Sequence, residues 1–208
     1  MTHTVIRVPN GKWKQNCYIV ADHDSGFGIV IDPGSDAASI RERLSLNVIE
    51  PVAILNTHAH YDHIGAVSGL MTYFDIPFYL NSADFKLMRQ ANLYRFIFDS
   101  KEAISIPEST HELTAQNTGL QLGGLEVTVL RTPGHTKGSV CLKIGDDLFS
   151  GDTLLPTGPG RIDLPGGDKI ALEQSIELLR KLPYETTVWP GHGCSFILGG
   201  IWKKLAQA

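Results

Sequence analysis

Several things are scarce or missing in this chain of 208 residues. Cysteine occurs three times, as Cys17, Cys141 and Cys194, with no CxxC pair. An odd, scattered set cannot form a disulfide framework, so a reducing compartment is expected. No apolar run approaches the ~20 residues that a membrane span requires. The amino terminus, MTHTVIRVPNGKWKQNCYIV, has no charged start, apolar core or small-residue cleavage site, so it does not read as a secretory signal. A cytoplasmic location follows as the expectation. Basic excess is also missing: 18 Lys and Arg against 22 Asp and Glu give a net charge of −4. That argues against nucleic acid or an anionic membrane as partner. With 42% hydrophobic and 19% charged residues, the chain is neither disordered nor fibrous. No linker or low-complexity stretch divides it, and one domain spanning 1–208 with a sizeable core is predicted.

Apolar runs alternate instead with helical patterns. GFGIVIDPG (26–34) reads as a buried strand stopped by Pro33-Gly34. A helix follows, capped by Ser35 or Asp36, with Ile40 and Leu44 spaced i, i+4. PVAILNTH (51–58) and IPFYLN (76–81) are strands flanking a helix over Gly65–Tyr73. Strand, helix, strand with short joints implies parallel pairing. SADFKLMRQANLYRF (82–96) reads as a third helix, before a loop around Ile104–Ser109. Strands resume at 125–134, 139–145 and 147–152, and a glycine-rich segment, TGPGRIDLPGGD (157–168), leads into a helix marked by Leu172, Ile176 and Leu179. TTVWPGHG (186–193) is a last strand with its turn, and Phe196–Ala206 closes as a helix. Two groups of strands separated by helices predict an α/β fold, a four-layer sandwich of two face-to-face sheets.

What the chain has in abundance is histidine, eight in all. The densest cluster is Thr57-His58-Ala59-His60-Tyr61-Asp62-His63, directly after a buried strand. Three imidazoles and a carboxylate are the ligand types that borderline divalent metals prefer. His58 and His60 alternate, so an extended backbone would aim both at one ion. Asp62 and His63 fall where the chain turns into a helix and should aim elsewhere, which suggests two metal sites. His135, Asp152 and His192 each sit on a tight turn just past an apolar run, where glycine lets backbone approach a small site. Sites in sheet proteins gather at the carboxyl ends of strands.

HAHYDH, TPGHTKGS, SGDTLL and PGHG, in that order and after the early IVIDPG, resemble the metallo-β-lactamase superfamily along the whole chain. The resemblance implies the αβ/βα sandwich, two mixed sheets flanked by helices, with metals at one edge of the sheets. It further implies that His58, His60 and His135 hold one metal, that Asp62, His63 and His192 hold a second, and that Asp152 bridges them. Class B β-lactamases usually have cysteine where this chain has Asp152. The bridging aspartate, TGPGRIDLPGGD and PGHG are similar instead to the short, glyoxalase II-like hydrolases. The activity so implied is hydrolysis of a small thioester such as S-D-lactoylglutathione by a metal-bridging hydroxide, whose proton Asp62 would orient. Two divalent ions are implied, zinc first, with iron or manganese as alternatives. Two other activities share much of this ligand set: a persulfide dioxygenase using one iron, and a lactonase. Gly191-His192-Gly193-Cys194 departs from the His-Asp-Tyr pattern of the dioxygenases and favours the hydrolase.

Around this set, Thr57, Thr136 and Ser139 are expected to accept imidazole N–H protons. Arg161 and Asp163 are read as an ion pair shaping the glycine-rich loop. The 82–98 helix, with Lys86, Arg89, Tyr94 and Arg95, is read as a solvated amphipathic helix that could also wall a substrate cleft. Cys17, Cys141 and Cys194 read as packed thiols.

Overall fold

A computed structural model describes residues 2–99, 102–108, 110–114 and 119–205. The first half of the chain contributes β1 (His3–Asn10), β2 (Gln15–Asp22), β3 (Phe27–Ile31), α1 (Ala37–Leu46), β4 (Glu50–Leu55), α2 (Tyr61–Ile64), α3 (Val67–Phe74), β5 (Phe78–Leu80), α4 (Phe85–Arg89), α5 (Ala91–Phe98) and β6 (His111–Glu112). The second half contributes β7 (Leu120–Leu122), β8 (Leu125–Arg131), β9 (Val140–Ile144), β10 (Asp147–Gly151), β11 (Leu154–Leu155), β12 (Gly158–Pro159), α6 (Lys169–Leu179), β13 (Thr187–Pro190), β14 (Phe196–Ile197) and α7 (Leu198–Leu205). One sheet runs β1-β2-β3-β4-β5-β6, the other β14-β13-β10-β9-β8-β7. Both are mixed: β3 through β6 are parallel beside the antiparallel β1–β2 hairpin, and β10–β13 is a parallel pair among antiparallel neighbours.

The period-two alternation of each strand explains the layers. Tyr18, Val20, Ile29, Ile31, Ala53 and Leu55 point from the first sheet into one core with Val127, Val129, Val140, Leu142 and Phe149 of the second. Their neighbours Cys17, Ile19, Val30 and Ile54 point the other way, against α1, α3 and α4. Cys141 and Leu148 likewise leave the central core for Leu172, Ile176 and Leu179 of α6 and Trp202 of α7. Strands covered on both faces must be apolar throughout, which is why they read as unbroken runs. The result is the predicted four-layer sandwich.

Local signals hold where a named side chain enforces them. Asp36 caps α1 by accepting from the Ser39 N–H at 3.0 Å, and Asp168 caps α6 by accepting from Ala171 at 3.0 Å. Three expectations need correction. The stretch 82–96 is not one helix: a 3₁₀ turn over Ser82–Asp84 precedes α4, and Gln90, at φ −92° and ψ 1°, breaks α4 from α5. Leu87, Met88 and Ala91 sit in the core, whereas Leu93, Phe96 and Ile97 face outward, so the apolar residues do not follow one helical stripe. Residues 196–197 pair with β13 as a strand, so β13 is not the last, and the closing helix begins at Leu198. The far ends of two readings, Ser109 and Ala206, lie outside the described residues. No described helix is long and apolar enough to cross a membrane.

Candidate metal centre

The loops at one edge of both sheets converge. Residues 56–60 leave β4, and Asp62 and His63 lie on α2. The β8–β9 turn carries His135, Asp152 follows β10, and His192 follows β13. Strands β8, β10 and β13 run in one direction, so each delivers its residue at its carboxyl end. Close approach is possible because glycine stands at the contacts. A Cβ on Gly151, at φ +49°, would overlap the Thr57 hydroxyl, and one on Gly191 would overlap the Asp152 carboxylate.

Four of the five imidazoles are held by the same device: Nδ1–H donates to a fixed oxygen, leaving Nε2 for the centre. His58 Nδ1 lies 3.0 Å from Thr57 Oγ1, whose own proton goes to Asp32 Oδ2 at 2.6 Å. His63 Nδ1 donates to the same Asp32 oxygen at 3.0 Å. His135 donates to the Arg161 carbonyl at 2.7 Å, and His192 to the Trp13 carbonyl at 3.1 Å. Such contacts fix tautomer and ring direction in metal-ligating histidines. His60 differs, because its Nδ1 faces His135 Nε2 at 2.9 Å.

His58, His60 and His135 offer ligand atoms within 4.8 Å of one another, as do Asp62, His63 and His192. Asp152 lies between the two groups: Oδ1 is 3.8 Å from His63 Nε2, and Oδ2 is 3.6 Å from both His135 Nε2 and His192 Nε2. A third combination, Asp32 with His58 and His63, is equally compact, but the Asp32 carboxylate is already engaged by Thr57 and His63.

Inside this cluster, His58 Nε2, His60 Nε2, His63 Nε2 and Asp152 Oδ1 are buried with no hydrogen-bond partner. Buried polar atoms are rarely left so. A donor set of neutral imidazoles and carboxylates aimed at common points fits divalent cations. The protonation equilibria of His58 and His60 agree. Burial, then His135, pulls His60 down to about 3, and burial, then His63, holds His58 well below the usual histidine range, so both stay neutral. Burial opposes the charge of His63, yet Asp62, Asp32 and Asp152 outweigh it and raise that imidazole to about 9. Burial likewise opposes ionisation of Asp62, and His63 and His192 outweigh it, holding the carboxyl well below the ordinary carboxylate range.

All seven sequence-predicted site residues therefore meet at one place, and Thr57 accepts an imidazole proton as expected. Thr136 and Ser139 do not. Thr136 Oγ1 donates to Asp84 at 2.7 Å, and Ser139 Oγ accepts from the Thr136 N–H at 3.0 Å. Cys194 is exposed rather than packed, since its loop continues past His192 to the surface. Arg161 and Asp163 do pair, at 2.6 and 2.8 Å, but in solvent; it is the Arg161 carbonyl that reaches the site.

Sequence reasoning missed two carboxylates. Asp32 lay within IVIDPG, where it reads as part of a strand's stop; its left-handed backbone, φ +48°, is the cost of aiming it at Thr57 and His63. Asp84 resembles an ordinary helix-start acid and carries no signal. It is buried and accepts from the Ala59 N–H at 3.0 Å and from Thr136 Oγ1 and the Gly138 N–H at 2.7 Å each. One carboxylate thus ties the loop of His58 and His60 to the turn of His135.

Residues 10–192 match the profile described as the metallo-beta-lactamase superfamily. The chain belongs to that superfamily. Among its relatives is the "probable metallo-hydrolase YqgX" of Bacillus subtilis (strain 168), 35% identical over 190 residues, which are 90% of this chain and 89% of that one. Two solved structures are close in shape. The BLEG-1 B3 metallo-beta-lactamase is 33% identical, with a TM-score of 0.88 over 96% of this chain and 97% of that one. TTHA1623, solved in a di-iron-bound form, is 37% identical, with a TM-score of 0.83 over 94% and 96%. Superfamily membership matches the resemblance in HAHYDH, TPGHTKGS, SGDTLL and PGHG.

Above the centre lies a cleft of about 310 Å³. Trp13 from the β1–β2 turn, Tyr94 and Phe98 from α5, and Leu155, Leu164 and Pro165 from the segment after β10 line it. Of the four residues singled out on the 82–98 stretch, only Tyr94 lines it; Lys86 and Arg89 are exposed elsewhere, and Arg95 is half-buried outside the lining.

Proposed function

We propose that this chain is a binuclear metal-dependent hydrolase acting on a small thioester, with S-D-lactoylglutathione as the test substrate. His58, His60 and His135 would hold one cation, Asp62, His63 and His192 the second, and Asp152 would serve both. The observation that carries the reading is the set of buried, unpartnered atoms, His58 Nε2, His63 Nε2 and Asp152 Oδ1, directed at two points. Two divalent cations there would supply Lewis acidity and lower the pKa of water to about 7. Zinc is the first expectation for this nitrogen and oxygen set, with iron or manganese as alternatives.

The chain's own groups do the rest. Asp62, kept ionised and 3.3 Å from His192 Nε2, can hold the proton of the attacking water. Water adds to the thioester carbonyl, the C–S bond breaks, and the water's protons end on the thiol and the acid product. The cleft walls shield the carbonyl from bulk solvent. Support for a thioester comes from the aspartate at position 152 and the glyoxalase II-like segments 157–168 and 190–193. A second reading, opening of a lactam, is favoured by the likeness to BLEG-1.

The test is loss of thioester absorbance with metal-loaded protein and S-D-lactoylglutathione, against a chelated control. Chelator-sensitive turnover is expected. Two bound metals with no thioester turnover, and hydrolysis of a chromogenic cephalosporin instead, would replace the first reading with the second.

A further inference from the structure

The walls of the cleft differ from its floor in a way that bears on the substrate, given the thioesterase reading on which this inference rests. Trp13, Tyr94 and Phe98 bring aromatic rings to the lining, together with Leu155, Leu164 and Pro165. Trp13 and Phe98 remain 49% and 47% exposed, so large apolar surface is open to whatever enters. The Trp13 ring is held in place, because its Nε1–H donates to Tyr61 Oη at 2.8 Å. Its turn is also tied to the end of α5 by Lys12 and Asp99, 3.6 Å apart. An apolar wall of this kind gains free energy by covering an apolar ligand.

Uncompensated positive charge is scarce among the described lining residues. Among the described lining residues, Arg161 is the one cationic side chain other than histidine, and its Nε and Nη2 already engage both oxygens of Asp163. Lys12, at the rim, pairs with Asp99. Recognition of a carboxylate calls for a guanidinium or ammonium with free donors. A substrate carboxylate reaching Arg161 would also meet the charge of Asp163. Glutathione carries two carboxylates and one ammonium, and the one guanidinium that the described lining offers its carboxylates is already shared with Asp163.

We infer that the preferred substrate is a thioester with an uncharged apolar body, aromatic or branched, lying against the apolar lining of Trp13, Tyr94, Phe98, Leu155, Leu164 and Pro165, and that glutathione is not the thiol the cleft selects.

Four thioesters test this: lactoyl and phenylacetyl esters, each of glutathione and of N-acetylcysteamine. With metal-loaded protein, kcat/KM should be about tenfold or more higher for phenylacetyl than for lactoyl, the range a hydrophobic pocket supplies. Replacing glutathione by N-acetylcysteamine should change it by less than about threefold. Phe98→Ala and Tyr94→Ala should each shrink the acyl preference at least fivefold, mainly through KM. A preference for lactoyl, a tenfold loss with the uncharged thiol, or a preference unmoved by both variants would overturn the inference. If none of the four is hydrolysed, the thioesterase reading falls, and the wall is then judged by binding alone. N-acetyl-S-(2-phenylethyl)cysteamine, an uncleavable thioether, should then quench tryptophan fluorescence at about tenfold lower concentration than S-ethylglutathione, with Trp13→Phe as the silent control. Equal or reversed affinities would overturn the inference on that arm.

Discussion

His58, His60, His63 and His135 at the floor of the cleft are buried, and each ring is fixed by a named polar partner, from Asp32 through Thr57 to the Arg161 carbonyl. In the cleft lining beside them, Trp13 and Phe98 are about half exposed. The floor is a polar network whose members cannot move independently, because an orphaned buried group costs far more than an exposed one. The wall is exposed apolar surface, and under the proposed function it could set substrate preference without disturbing the floor. On that reading, chemistry and specificity would reside in parts with different tolerance to substitution.

The largest effect should come from Asp152→Ala. Asp152 is within 3.8 Å of His63, His135 and His192, so its loss reaches both ligand groups. Metal content measured by plasma mass spectrometry should drop at both sites, and turnover should fall to that of chelated protein. Retention of two metals per chain would remove Asp152 from the centre. His192→Ala comes next. Its side chain is the most exposed of the ligand set, and one metal of two should be lost with most of the hydrolysis. An unchanged rate would mean that the first group suffices alone.

Asp84→Asn tests whether the floor behaves as one network. The carboxylate accepts three hydrogen bonds that fix the backbone beside His58, His60 and His135. An amide offers one oxygen and turns a donor toward at least one N–H or O–H. Metal affinity at that group should weaken about 10–100-fold, read by competition with a chromophoric chelator. A loss confined to thermal stability, with affinity intact, would make Asp84 a fold residue only.

How much of this was legible follows the same division. The residues that converge on the floor were readable because histidine and aspartate at HAHYDH and just past apolar runs are costly to place without a purpose. The layers were readable because strands buried on both faces must be apolar throughout. Asp32 and Asp84 were hidden, since what they do depends on backbone N–H groups and hydroxyls that come from distant segments. Asp84 meets Gly138 across 54 positions of sequence. The Gln90 break and the Trp13 wall were hidden for another reason: exposed aromatics carry no periodicity, and only tertiary placement shows what they face.

The smallest effect should come from Asp163→Asn. The Arg161–Asp163 pair has ideal fork geometry, yet both side chains are more than half exposed, and pairs in such positions are screened and contribute little. Asp163 holds its carboxyl at about 2 chiefly through the hydrogen bond from Arg161, so the pair is fully ionised across the neutral range. Removing that charge should move Tm by less than about 2 °C. Metal content should stay at its wild-type value, because Arg161 reaches the centre through its main-chain carbonyl on His135 Nδ1. The variant also leaves the Arg161 guanidinium at the cleft without its counter-charge. Turnover of glutathione thioesters should then rise relative to N-acetylcysteamine thioesters, by about two- to fivefold and less at high salt. Loss of metal instead would show that the ion pair, not the backbone alone, holds the 157–168 loop against His135, and the floor would extend one layer further out than its buried atoms indicate.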